Sequence, residues 1–469
     1  MTDIPLTITE AAEGLRAKRY SAVELTQAML ARADALDASL GVYITRMDET
    51  ALAAAAQADA DFAAGIDRGP LQGIPLGIKD IIATKDAPTT AQSLILDRKW
   101  GEGIDAPVVA RLREAGAVIT GKTSTMEFAI GMPDASKPFP VPRNPWDPST
   151  WPGGSSSGSG AGVAAGFFLG ALGTDTGGSV RIPAAFCGIS GLKQTYGRVP
   201  KAGCAPLGYS LDHIGPMTRS ARDGAIMLQV MAGYDESDPY CADVPVPDYL
   251  AALTGSVAGL RIGVERANHL AWPGVLPEAV RAFEDAVAVL AGAGAETPEV
   301  VVPYYLGLRN ANTVTMRGES SSYHLSDLRV RWEEYGVHTS KAVSGGVFPS
   351  GADFVQAQRF RSLARQGVAE LMAPLDAMVM LTVGCGAPQV EGLHHASFAT
   401  WPVFTGPWNL LGLPAYAIPI GFTEAGLPLS MQVVGKPVAE ETVIRIADAF
   451  QRLTDFHLRV PSMVSAAAV

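Results

Sequence analysis

The chain has 469 residues, 48% hydrophobic and 18% charged, with 36 lysines and arginines against 47 aspartates and glutamates, a net charge of −11. That composition excludes a disordered chain and suits a packed globular protein of enzyme size. No basic block is present to track phosphates, so the composition predicts no nucleic-acid partner, and the acidity speaks only to solubility.

Thr9-Glu10-Ala11-Ala12 reads as a helix start with apolar periodicity through Leu15. Ser21 with Glu24 three residues on is a capping box opening a helix towards Leu36. Val42–Thr45 reads as a strand and the alanine-rich Thr50–Ala64 as a helix. A turn at Pro70–Pro75 leads into Leu76–Asp80, a short buried strand carrying Lys79 near its end. Asp105–Gly116 predicts an amphipathic helix closed by glycine, followed by a strand at Ala117–Thr120. A proline-rich loop covers Pro133–Pro152. Helices follow at Ser220–Ala232 and Pro277–Ala291, with strands at Gly259–Val264 and Glu299–Val302. Tyr304–Leu371 is helical but interrupted at Gly345-Gly346. Strands at Ala377–Leu381, Ala415–Pro419 and Leu429–Val434 precede a last helix, Glu440–Leu453. Alternating strands and helices predict one α/β domain over residues 1–469, built on a mixed sheet covered by helices on both faces. Residues 235–389, the least regular, are expected to shape a pocket. Trp332, Tyr335, Phe348 and Phe354 are its expected apolar wall, suited to an acyl or aryl group.

Four scattered cysteines (Cys187, Cys204, Cys241, Cys385) form no CxxC pair, so neither a disulfide framework nor a zinc site is expected, and a reducing cytoplasm fits. The N-terminus shows no basic region before an apolar core, hence no signal peptide. The longest small-apolar run, Ala161–Leu172, is too short to span a bilayer. Of seven histidines only His394 and His395 are adjacent, which on a strand face opposite ways, so no metal is expected.

Two clusters carry the chemistry: Gly153-Gly154-Ser155-Ser156-Ser157-Gly158-Ser159-Gly160 and Gly173-Thr174-Asp175-Thr176-Gly177-Gly178-Ser179-Val180-Arg181. The residues between them are apolar, so the stretch is not a flexible linker. A letter-perfect phosphate-loop pattern, Gly116 to Thr123, sits in the wrong context, because a helix precedes it and a strand fills it. His213 beside Asp212 lacks an upstream G-x-S-x-G elbow and reads as structural. What remains is serine with lysine. A serine hydroxyl needs a base to become a nucleophile, and a lysine is a base only when burial holds it neutral. Lys79, at the end of an apolar strand, is the candidate; Asp80 should point to the opposite side.

The chain resembles the amidase-signature hydrolases, which use a Ser–cis-Ser–Lys triad. The likeness runs through Gly69–Pro75 and Lys79-Asp80, Gly121-Lys122-Thr123, Pro152–Ser156, Gly173–Pro183, Ser210–Pro216, Asn409–Ala415 and Gly426-Leu427-Pro428. It implies Ser179 as nucleophile, Ser155 as the cis-serine 24 residues before it, and Lys79 as general base. It further implies an oxyanion hole from the N–H groups of Thr176, Gly177, Gly178 and Ser179, aided by a helix start behind Ser179. Asp175 and Arg181 would hold that loop, and Ser156 would hydrogen-bond Lys79. Ser157 stands where the family usually has glycine, which leaves either a tolerated small residue or an altered pocket floor. No cofactor is implied.

The family includes amidotransferase A subunits, whose Ala-Arg-Tyr-Asp-Gly segment for glutamine is missing from Ser321–Leu328. That absence leads to the expectation of a free-standing hydrolase of aryl or acyl amides, with esters or carbamates (urethanes) as alternatives. Its partners are expected to be small molecules alone, with no nucleic acid and no membrane, in a monomer or homodimer. The readings from other classes are a non-catalytic scaffold and a component of an amidotransferase.

Overall fold

The apolar runs become the strands of one mixed sheet in the computed structural model, which describes residues 4–394 and 400–466. Its eleven strands are β1 (Tyr43–Arg46), β2 (Pro75–Lys79), β3 (Val118–Thr123), β4 (Gly170–Asp175), β5 (Ser190–Lys193), β6 (His213–Thr218), β7 (Ile262–Glu265), β8 (Glu299–Val300), β9 (Ala377–Val383), β10 (Ala415–Phe422) and β11 (Pro428–Gly435). The spatial order is β1-β3-β2-β4-β6-β5-β10-β11-β9-β7-β8. Parallel pairing joins β3, β2 and β4, and again β9, β7 and β8. The strands between those groups, and β1 on β3, pair antiparallel.

The helices are α1 (Ile8–Arg16), α2 (Ala22–Leu40), α3 (Asp48–Ala63), α4 (Pro107–Glu114), α5 (Ser157–Ala165), α6 (Arg181–Cys187), α7 (Ala221–Met231), α8 (Pro277–Gly292), α9 (Tyr305–Val330), α10 (Val337–Ser344) and α11 (Gly351–Met372), with shorter ones and Glu440–Leu453 after them. They flank the sheet as a single domain, as expected. α2 opens with the predicted Ser21–Glu24 capping box. α1 instead caps on Thr7 with Glu10, while Thr9 donates to Asp223. The interruption at Gly345-Gly346 is a 3₁₀ turn between α10 and α11.

β5 and β6 had no reading in the sequence. Both are buried along their whole length, so no polar face alternates with an apolar one, and Pro216 argues against a strand at β6. Among the described residues no helix is long and apolar enough to cross a membrane.

Candidate active site

The sheet brings Lys79 and the serine clusters together. Lys79 ends β2, whose neighbours are β3 and β4, and Thr174 lies near the end of β4. Ser155 and Ser156 stand immediately before α5, which packs against these strands. Lys79 Nζ is 2.7 Å from Ser155 Oγ, 3.0 Å from Ser156 Oγ and 2.7 Å from Thr174 Oγ1. All four side chains are buried. Thr174 is the member that sequence reading missed; its place inside a strand, next to a cluster already read as backbone, concealed it.

Burial lowers the Lys79 pKa to about 7, only weakly opposed by Cys204, Asp175 and Asp212. Asp80 does not oppose it, because its carboxylate faces Lys122 at 3.1 Å and accepts from Thr90. The expected alternation of side chains therefore holds at this strand end. The same ion pair disposes of the phosphate-loop pattern, since Lys122 lies within β3 and also donates to Thr89.

A neutral lysine has two N–H groups and one lone pair, and three hydroxyls meet it here. Ser156 Oγ donates to the Thr174 carbonyl at 3.2 Å, so it is placed to accept from Lys79. Ser155 is fixed from behind, its carbonyl accepting from Thr125 Oγ1 (2.8 Å) and the Met126 N–H (3.1 Å). The Gly154–Ser155 peptide is cis.

Ser179 is half-buried and, with Ser155 and Gly177, lines a cavity of about 490 Å³. Its loop is held by Asp175 and Arg181. Arg181 Nε and Nη2 reach the Asp175 carboxylate at 3.0 and 3.1 Å, and its other donors go to Asn409, Gln432 and the Thr405 carbonyl. Burial alone would raise the Asp175 pKa, but Arg181 holds it well below the usual carboxylate range.

One expected oxyanion donor is spent. The Gly178 N–H donates to Asp175 Oδ1 at 2.7 Å, and the Val180 N–H at the start of α6 donates to Asp175 Oδ2 at 3.2 Å. The start of α6 thus faces Asp175, correcting the expectation that it aids an oxyanion. Gly178 is still required, because at φ +138° a Cβ would sit 2.1 Å from Thr405 Oγ1. Ser157 is buried behind the loop and does not line the cavity; its hydroxyl donates to the Gly153 carbonyl at 2.6 Å.

His213 is no base for Ser179. Its Nδ1 faces the Leu211 and Asp175 carbonyls, Lys193 approaches its Nε2 at 3.4 Å, and burial pushes its pKa well down. Asp212 instead accepts from Thr176 Oγ1 at 2.5 Å. Among the described residues no group of three or more His, Cys, Asp or Glu is placed to hold a metal, and His395 lies outside them.

The expected aromatic wall is also corrected. Tyr335 is buried against His324, Phe348 is 85% exposed, Phe354 lies against α9 at Gly318, and none of them nor Trp332 lines the cavity. The cavity wall from residues 235–389 is mainly α9, between Arg309 and Arg317. The reason is geometric: aromatic composition does not reveal which face of a helix meets the sheet.

A family model described as Amidase matches residues 24–444. The chain belongs to the amidase family. Within it, the chain is 42% identical to the glutamyl-tRNA(Gln) amidotransferase A subunit of Roseiflexus sp. (strain RS-1), with 98% of each chain covered. Among solved structures, a chain of a vestigial protein complex bearing on the origins of an s-triazine catabolic enzyme superposes with a TM-score of 0.89, at 32% identity over 95% of this chain and 98% of that one. The glutamyl-tRNA(Gln) amidotransferase A subunit of Thermotoga maritima gives a TM-score of 0.79, at 32% identity over 96% of each.

These matches overturn two expectations: the free-standing hydrolase of aryl or acyl amides, and the chain with small-molecule partners alone. The missing five-residue arginine segment was a local difference, and identity over nearly the whole length outweighs it. Absence of a basic block tests only direct contact with phosphates. It says nothing of a subunit whose partners hold the RNA.

Proposed function

We propose that this amidase-family enzyme is the amide-cleaving subunit of an amidotransferase, working with unlike subunits that present a glutamyl-tRNA. The carrying observation is the 42% identity across 98% of both chains to a relative named as the A subunit of a glutamyl-tRNA(Gln) amidotransferase. A net charge of −11 fits a subunit that meets RNA through its partners.

In this reading Lys79, neutral, accepts a proton from Ser155, which takes one from Ser179. Ser179 Oγ attacks the carbonyl carbon of a primary carboxamide. The N–H groups of Thr176, Gly177 and Ser179 stabilise the oxyanion, without Gly178. The relay then returns a proton to the nitrogen, because an amide nitrogen cannot leave as its anion. Ammonia departs, an ester forms on Ser179, and water opens it by the reverse relay. Ammonia is the group an amidotransferase passes to its acceptor. Supporting the roles are the three hydroxyls around Lys79, its pKa lowered to about 7, and the cavity shared by Ser155 and Ser179. Ser156 and Thr174 would take the two N–H bonds of the neutral amine, leaving its lone pair for Ser155.

The test is isolation of the chain from its native cells with its associated subunits, followed by assay for amidation of glutamyl-tRNA using an amide donor. Amidation that disappears with Ser179→Ala is expected. A complex that amidates with Ser179→Ala, or a chain that forms no complex and amidates no tRNA, overturns the reading.

A further inference from the structure

The wall of the cavity opposite the serine loop has its own chemistry. α9 presents Arg309, Asn312, Thr313, Met316 and Arg317 to it, the spacing of one helix face. Among the described residues lining the cavity two are cationic and none is Asp or Glu, in a chain of net charge −11. The undescribed residues 395–399 include no acid either.

Arg309 lacks what other buried arginines have. Arg181 meets Asp175, Arg198 meets Glu440, and Arg219 donates to the carbonyls of Val163, Ala164, His457 and Arg459. Arg309 is half-buried with its guanidinium carbon 4.2 Å from the centre of the Trp272 ring, which covers one face of the fork. Its Nη1 is buried without a hydrogen-bond acceptor. Burial draws its pKa down, and the one group opposing that is the Tyr305 phenol, which itself donates to the Phe404 carbonyl. A cation withdrawn from water without a counterion is costly, and a ligand that supplies the anion removes the cost. A planar guanidinium held against an indole is matched by a carboxylate, which accepts two parallel N–H bonds. Arg317, exposed two turns along the same helix, adds to the field drawing an anion in.

We propose that Arg309 anchors a carboxylate on the amide donor, and that the cavity selects carboxamides by this negative charge with no contribution from an ammonium group. The inference rests on the cavity being the amide-cleaving site and names its substrate class: ω-amides of carboxylic acids. No carboxylate lines the cavity to receive an ammonium, so the amino group of an amino-acid amide gains nothing there.

The test uses three five-carbon amides of the same reach: glutaramate (carboxylate only), glutamine (carboxylate and ammonium) and pentanamide (neutral). Calorimetry on the full-length Ser179→Ala chain should show glutaramate bound about tenfold or more tighter than pentanamide, the scale of a charge-assisted hydrogen-bond pair. Glutamine should fall within roughly threefold of glutaramate. Adding Arg309→Met should erase the glutaramate advantage and leave pentanamide unchanged, and Arg309→Lys should recover part of it. Equal binding of glutaramate and pentanamide, equal weakening of both by Arg309→Met, or glutamine binding an order of magnitude tighter than glutaramate each overturns the anchor. Ammonia release by the unmutated chain, with its associated subunits, separates the two readings. Arg309-dependent binding with no release from any amide supports the anchor and sinks the cleavage reading. Release from pentanamide as efficient as from glutaramate overturns the anchor and leaves the cleavage reading intact.

Discussion

Two fully buried lysines lie on neighbouring strands, and their surroundings differ in one respect. Lys122 on β3 faces the Asp80 carboxylate at 3.1 Å, whereas Lys79 on β2 faces three hydroxyls and no carboxylate. Burial lowers the pKa of both, and at Lys122 the carboxylate pushes back. An amine among hydroxyls can be neutral near pH 7 and offer a lone pair; an amine beside a carboxylate is held as one half of an ion pair. The first arrangement suits chemistry and the second holds strands together. Asp80 belongs to the second, and by engaging Lys122 it also leaves Lys79 without a neighbouring counter-charge.

The contrast can be broken at several points. Ser179→Ala tests the chemistry at its origin, and steady-state ammonia release should fall by roughly 10⁴-fold or more, the scale of losing an activated nucleophile. A residual rate close to that of the unmutated chain would move the nucleophile elsewhere. Lys79→Ala should lower kcat by about 10²–10⁴-fold, as for removal of a general base, with the circular-dichroism spectrum unchanged. Asp80→Asn should do the opposite in kind. It leaves Lys122 buried without its carboxylate, and denaturant unfolding should show a loss of about 3–5 kcal/mol. If Asp80→Asn instead spares stability and abolishes turnover at Lys79, the division between the two lysines is wrong.

The pH profile is gentler. Below its lowered pKa of about 7 Lys79 holds a proton and has no lone pair, so kcat/KM should fall about tenfold for each unit of pH below that point and level off above it. A profile flat from pH 5 to 8 would be incompatible with Lys79 as base. Smallest is Ser157→Ala, which strips the Gly153 carbonyl of a buried donor and should cost about 1–3 kcal/mol in stability, read as a lower Tm. An unchanged Tm would return Ser157 to the status of a tolerated small residue.

Much of the fold was legible because strands such as β2, β3, β9, β10 and β11 are short apolar runs, and helices such as α2 carry capping signals. β5 and β6 were not, since strands buried on both faces lose the alternation that marks a strand. At the site, Lys79, Ser155, Ser156, Ser179, Asp175 and Arg181 were readable from glycine-serine clusters and a lysine closing an apolar strand. Thr174 was hidden because an interior strand threonine looks like any other. The cavity wall was misread because residues 304–371 form several helices, and amphipathicity does not tell which stripe faces a pocket.

By itself the amino-acid sequence determined which side chains are available for serine–lysine chemistry and that they lie on a mixed α/β scaffold, because those properties follow from residue type and local periodicity. Tertiary structure alone decided the charges. Asp80 meets Lys122, Asp175 takes the Gly178 N–H from the oxyanion loop, and Arg309 is left without an acid. Each outcome depends on a distance between residues far apart in the chain, and electrostatic energy is set by distance and burial, which local sequence does not encode.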